Sequence, residues 1–272
     1  MDWVSVARME SNQVVPLPEG EIHLWLTLYS EINDEFRLSM YRELLNDAEG
    51  EQETRFYFVR DQRRYLITRA LVRTVLSRYA EVPPREWVFS AGAYGKPCIL
   101  NPEAKEAGLS FNISHTHSMV VLAIAKFRDI GVDVENFRTR TAPIDGANHY
   151  FAPQEVAALR ALPSKEQQYG FFEYWTFKES YIKARGLGMS LPLDKFSFCY
   201  PDDQTVEIKI EPVLGDEPAR WEFWQLRPRQ EYLLALCAER VHSQPSRVIV
   251  REVIPMLSEK EVPIEFRRVS TL

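Results

Sequence analysis

The stretch Phe171 to Arg185, FFEYWTFKESYIKAR, constrains this chain more than any other. Read as a helix, it sets Trp175, Lys178, Glu179 and, one turn on, Lys183 along one side, because residues three and four apart are neighbours on a helical surface. A carboxylate then lies between two ammonium groups. Such a cluster suits a metal ion and an anionic substrate together, although alternating charge also describes a solvated helix face. What favours a site is a second acidic pair upstream. In Ile130-Gly131-Val132-Asp133-Val134-Glu135, strict alternation puts Asp133 and Glu135 on one face of a strand and Val132 and Val134 on the other, against the core. Two neighbouring carboxylates repel each other unless water or a positive partner compensates. A hard divalent cation such as Mg²⁺, held by a few carboxylates plus phosphates and water, meets that need.

With 272 residues, 45% hydrophobic and 26% charged, the chain has the profile of a soluble globular protein of one large or two small domains. Its net charge of −6 argues against broad nucleic-acid binding. Cys98, Cys199 and Cys237 stand far apart and read as core thiols. The N-terminus lacks a basic-then-apolar leader, and the apolar run Met119 to Ala125 is too short to span a bilayer, so a cytoplasmic protein without a membrane segment is expected.

Ile22 to Leu28 reads as a first strand, Phe36 to Gly50 as irregularly helical, and Thr54 to Ala80 as one amphipathic helix with Ile67, Leu71 and Val75 in its apolar stripe. The other face of that helix carries Arg55, Arg60, Arg63, Arg64, Arg69, Arg73 and Arg78, some solvated and one or two suited to phosphate. Trp87 to Ser90 and Ala93 to Ile99 read as strands, with Gly95 and Pro97 flanking Lys96 at a turn tip. Leu109 to His117 and Met119 to Ala125 follow as strands; the spacing of His115 and His117 would suit a metal on a strand, but with only His23, His149 and His242 besides, a complete His-rich zinc site is not expected. Asn136 to Asn148 reads as a loop, and Tyr150 to Leu162 holds a short helix opened by Pro153. Strands are expected at Lys195 to Tyr200, Thr205 to Ile210, Trp221 to Leu226 and Tyr232 to Cys237. The implied fold is α+β, with an N-terminal half (1–127), a C-terminal half (128–240) and a tail (241–272) of no assigned role. Both halves run from helix to strands, which suggests a pseudo-repeat.

Arg64, Tyr94-Gly95-Lys96-Pro97, Phe111-Asn112-Ile113-Ser114-His115, Gly131 to Glu135 and Trp175 to Lys183 together resemble the ordered motifs of the 4′-phosphopantetheinyl transferases, of the type that activates surfactin synthetase. The resemblance covers about residues 20 to 240. It implies two similar halves related by a pseudo-twofold, each a small antiparallel sheet packed on a long helix, in a monomer with coenzyme A between them. It implies Mg²⁺ ligands at Asp133, Glu135 and Glu179, and coenzyme contacts at Arg64, Lys96, Pro97, Asn112, Ser114, His115, Asp133 and Lys183. The implied reaction moves phosphopantetheine from coenzyme A to a serine of an acyl or peptidyl carrier protein, leaving adenosine 3′,5′-bisphosphate.

Such chemistry needs the pyrophosphate charge neutralised, the leaving group stabilised and the serine deprotonated. Glu135, Glu179 and Lys183 are the catalytic candidates, with Glu155 a third choice as base and Lys178 either a coenzyme contact or a balance for Glu173 or Glu179. Some family members carry lysines shortly before the Arg-Phe-Tyr segment; here Glu49 and Gln52 stand there, which throws the 3′-phosphate onto Arg64 and His115. Carrier proteins of this kind are acidic, so Arg138 and Arg140 are candidate docking residues. A metal-dependent phosphodiesterase or nuclease and an inactive carrier-binding protein are the competing classes; the first would need a wide basic groove that an acidic chain does not suggest.

Overall fold

The alternating segment near the start forms strand β1 (Glu21–Leu28) in a computed structural model that describes residues 14–92, 94–241 and 246–271. Ala93 and His242, where an expected strand and the tail begin, lie outside the described residues. Three helices follow, α1 (Glu35–Arg42), α2 (Asp47–Thr54) and α3 (Val59–Leu76). The helix expected from Thr54 to Ala80 is therefore shorter, Val59–Leu76, and Thr54 closes the preceding helix instead. Asn46 and Glu49 close a capping box that starts α2, and Phe58, extended at φ −95° and ψ 132°, separates it from α3. Short strands β2 (Phe89–Ala91) and β3 (Pro97–Ile99), a one-turn helix α4 (Pro102–Glu106) and the hairpin β4 (Leu109–Thr116) with β5 (Met119–Lys126) complete this half. The β-branched run at Val120 and Val121 is a buried strand, as its residue types require.

The second half runs β6 (Ile130–Asn136), α5 (Pro153–Ala161), α6 (Ser164–Arg185), β7 (Phe196–Cys199), β8 (Thr205–Ile210), β9 (Trp221–Leu226) and β10 (Tyr232–Glu239). Helix α6 extends the expected helix by seven residues at its start, from Ser164, and ends at Gly186, left-handed at φ 66°. Trp175 packs against Tyr150 and Phe171 in the aromatic core beneath it, as its place among apolar residues suggests.

The tail has a definite role. Strands β11 (Arg247–Ile254) and β12 (Ser258–Glu261) extend the first sheet, whose order is β12-β11-β1-β5-β4, and β13 (Phe266–Ser270) enters the second, ordered β6-β10-β9-β13-β8-β7. Because β11 runs parallel to β1 and β13 parallel to β8, both sheets are mixed rather than purely antiparallel. Sequence alternation missed these strands because the tail mixes charge and proline with its apolar residues. Ile22, Leu24 and Val121 from one sheet and Val132, Val134 and Leu234 from the other share one core, onto which Val262, Ile264 and Phe266 of the tail pack. The cysteines differ from expectation: Cys237 is a core thiol, whereas Cys98 is exposed and Cys199 half-buried.

Strands β4 and β6 meet where the two halves join, through side chains. The amides of Val132, Val134 and Asn136 donate to Asn112 Oδ1 (2.9 Å), Ser114 Oγ (3.3 Å) and Thr116 Oγ1 (3.0 Å). Gly131 lets α6 lie directly on β6, since a Cβ there would fall 2.0 Å from the Ser180 carbonyl oxygen and 2.3 Å from the Ala184 nitrogen. Both obstacles are backbone. Gly131→Ala is therefore expected to destabilise the protein by about 3 kcal/mol, read from urea unfolding, because α6 must move off the strand. An unchanged midpoint would contradict the close approach.

Candidate active site

The face of β6 opposite the shared core carries Asp133 and Glu135, and α6 brings Glu179 and Lys183 over it. Asp133 is buried; its Oδ1 accepts from Lys183 Nζ (2.7 Å) and Ser114 Oγ (2.9 Å), while Oδ2 is buried with no hydrogen-bond partner. Lys183 Nζ also donates to Ser114 Oγ (3.0 Å) and the Val132 carbonyl (3.1 Å). Thus Lys183 crosses the seam from helix to both strands. Glu135 is equally buried and accepts from Arg140 and from Thr116 Oγ1 (3.3 Å). Burial, then the Asp133 charge, pushes its carboxyl up to about 7. Burial and the same aspartate raise Glu179, which lines the adjoining cavity.

That cavity, of about 220 Å³, lies between the halves and is lined by Tyr94, Lys96, Pro97, Asn112, Glu179 and Lys183 among others. It lies where Tyr94, Gly95 and Lys96 meet the end of α6 and the glycines that follow it, Gly186 and Gly188. Gly95, at φ 83°, turns the chain, but Lys96 is no solvated tip: its Nζ donates to the carbonyls of Ala184 (3.0 Å) and Ile130 (3.3 Å), and burial lowers its pKa. An ammonium on the last carbonyls of a helix is favourably placed against the helix dipole. Asn112 and Ser114, expected at the coenzyme, also join the two sheets, as shown above.

Arg64 and His115 stand together at another edge. Arg64 pairs with Asp61 (3.2 Å) and remains partly exposed. His115 presents an edge to solvent, yet desolvation of the rest of its ring lowers its pKa, and the charges of Arg64 and Lys183 lower it further.

Several assignments change. Lys178 and Glu179 differ by a 100° step around α6 and point apart. Lys178 is fully buried, pairs with Glu155 (2.9 Å) and donates to the carbonyls of Leu193 (2.6 Å) and Phe196 (2.7 Å), so it contacts neither Glu173 nor Glu179 nor the cavity. Glu155 is likewise buried and accepts from the amides of Ala152 and Phe198 (both 2.8 Å), which removes it as a base. Glu173 pairs with Arg267 instead. Glu49 binds Arg69 and Arg73 and holds α2 on α3; those two arginines are therefore structural rather than solvated. Arg140 turns inward to Glu135, a partner the sequence did not signal, as it did not signal Thr116 or Met189 at the site.

The donor chemistry of Asp133, Glu135 and Glu179 fits Mg²⁺: hard carboxylate oxygens around a buried, unpartnered Asp133 Oδ2. Among the described residues, no three acidic, histidine or cysteine side chains are gathered closely enough to chelate a cation as they stand. Lys183 and Arg140 supply the compensating charge.

The sequence that builds this seam has known relatives. A family model described as the 4′-phosphopantetheinyl transferase superfamily matches residues 129–237, and one described as 4′-phosphopantetheinyl transferase, N-terminal, matches residues 31–127. The chain is 31% identical to 4′-phosphopantetheinyl transferase HetI of Nostoc sp., covering 84% of this chain and 92% of that protein. It is 34% identical to 4′-phosphopantetheinyl transferase Sfp of Bacillus subtilis, over 73% of this chain and 84% of that protein. The chain belongs to the 4′-phosphopantetheinyl transferase superfamily, and its class is that of an enzyme.

Two expectations follow. Glu155→Gln or Lys178→Met alone should cost about 3–5 kcal/mol in urea unfolding, by stranding a buried charge, and the double variant should regain most of it. Loss of activity at full stability would instead return Lys178 to the site. Arg64→Ala should raise KM for coenzyme A about tenfold or more, and that for dephospho-coenzyme A less than about twofold, if its guanidinium meets the 3′-phosphate. Equal effects in steady-state assays would remove that role.

Proposed function

We propose that this protein transfers the 4′-phosphopantetheine group from coenzyme A to a serine of an acyl or peptidyl carrier protein, with Mg²⁺, and releases adenosine 3′,5′-bisphosphate. The observation that carries this reading is Lys183 spanning Ser114 and Asp133 beside Glu179, at a cleft between the two halves. We further propose that the halves, residues 1–127 and 128–240, are related by a pseudo-twofold. The matching strand orders β1-β5-β4 and β6-β10-β9, each with its long helix between first and later strands, support this. A cytoplasmic monomer is part of the proposal.

Asp133, Glu135 and Glu179 would hold the metal, which when bound supplies charge neutralisation at the pyrophosphate. The chain's own groups do the rest. Arg64 and His115 bind the 3′-phosphate, while Lys96, Pro97 and Asn112 border the adenosine. Lys183 leaves Asp133 for a phosphate oxygen and stabilises negative charge on the departing bisphosphate. The serine proton passes to Glu135 or Glu179, directly or through a water. The serine oxygen forms the new P–O bond as the bond to the bisphosphate oxygen breaks.

Incubation with Mg²⁺, coenzyme A and an apo-carrier should increase the carrier mass by one phosphopantetheine, read by mass spectrometry. Glu179→Gln should lower the rate about a hundredfold or more without changing the unfolding midpoint. No mass increase with several carriers would count against the reading.

A further inference from the structure

We infer that the carrier protein docks through its acidic surface on a basic, aromatic platform made by Phe137, Arg138, Tyr169, Arg227 and Arg267, with Arg227 setting partner specificity; this rests on the transferase reading. Segments remote in sequence meet there: the exit of β6, the first turns of α6, the β9–β10 connection and β13. Phe137 and Tyr169 pack edge to face with centroids 5.0 Å apart. The Arg227 guanidinium lies over both, 5.4 Å from Phe137 and 5.7 Å from Tyr169, and Arg267 lies 5.1 Å from Tyr169. The Phe137 amide donates to the Glu231 carbonyl (3.1 Å), which ties the β6 exit to the β9–β10 connection.

The charges are arranged for a partner. Arg138 and Arg227 are exposed, and among the described residues neither forms an ion pair, in a chain whose net charge is −6. Arg267 instead pairs with Glu173 (2.8 Å) and is fixed in place. A guanidinium resting on two rings is preorganised, so less side-chain entropy is lost when it meets a carboxylate. An acidic surface therefore suits this platform better than an apolar one. Its position links it to the chemistry, because Phe137 follows Glu135 by two residues. Another exposed aromatic patch, Tyr57 and Phe58, lies on the N-terminal half and lacks this continuity with Glu135.

The test is steady-state transfer by the full-length protein to an acidic apo-acyl carrier protein, with KM measured separately for carrier and coenzyme A. Arg227→Glu should raise the carrier KM about tenfold while leaving the coenzyme A KM within about twofold, and Arg227→Lys should fall between. Arg138→Glu, in an exposed loop, should act in the same direction and covers the case in which Arg227→Glu misfolds. Arg85→Glu makes the same charge change at an exposed site on the other half and should move the carrier KM less than about twofold. An unchanged carrier KM in both Arg138→Glu and Arg227→Glu overturns the proposal, as does an equal rise in Arg85→Glu. Should the unaltered protein transfer nothing, the transferase reading fails; carrier binding by fluorescence anisotropy to the same variants then decides the docking surface by itself.

Discussion

The structure depends on a row of side chains standing in for backbone at the junction of the two halves. Asn112, Ser114 and Thr116 alternate along β4, so all three point the same way, and each accepts an amide of β6. An edge strand must satisfy its amides or leave them to solvent. Here the solution brings the acidic face of β6 against β4, and Ser114 and Thr116 reach the carboxylates with the same oxygens that accept the amides. The joint between the halves and the construction of the site are one set of bonds.

Burial governs the electrostatics at that joint. Asp133 and Glu135 are both almost removed from water, and the Asp133 charge adds to burial in raising the cost of charging Glu135. Lys183 and Arg140 offset this, one from the helix and one from the loop beyond the strand. The opposite side of α6 shows the contrasting case. Lys178 and Glu155 are sealed together with backbone carbonyls and amides around them, leaving no open coordination for a substrate. One helix thus carries two lysine–carboxylate pairs with different fates, set by which side faces the cleft.

The C-terminal tail holds the arrangement together. β11 lies beside β1 in one sheet, β13 is inserted between β9 and β8 in the other, and the apolar residues linking them cover the core shared by both sheets. Arg267 and Arg268, carried in by β13, neutralise Glu173 two turns before Glu179. Helix α6 is consequently braced from below by the last described strand.

Much of this was legible in the residues. Alternation fixed which face of β6 was acidic, helical spacing placed Glu179 and Lys183 together, and the order of short motifs pointed to the family that the comparisons show. Those are local signals, set by neighbours a few residues apart. What needed the tertiary structure was the partner of each charge. Lys178 and Glu179 are adjacent in sequence, yet one meets Glu155 and the other the cleft. Glu49 lies on the preceding helix, α2, and it clamps two arginines of α3. The tail reads as an irregular coil of mixed charge because β11 is made by its pairing with β1 near the other end of the chain and β13 by its pairing with β8 and β9, partners that no local pattern shows. The sequence by itself determined the types of group and their local faces; only long-range packing decided which of those groups are spent on holding the fold and which remain facing the cleft.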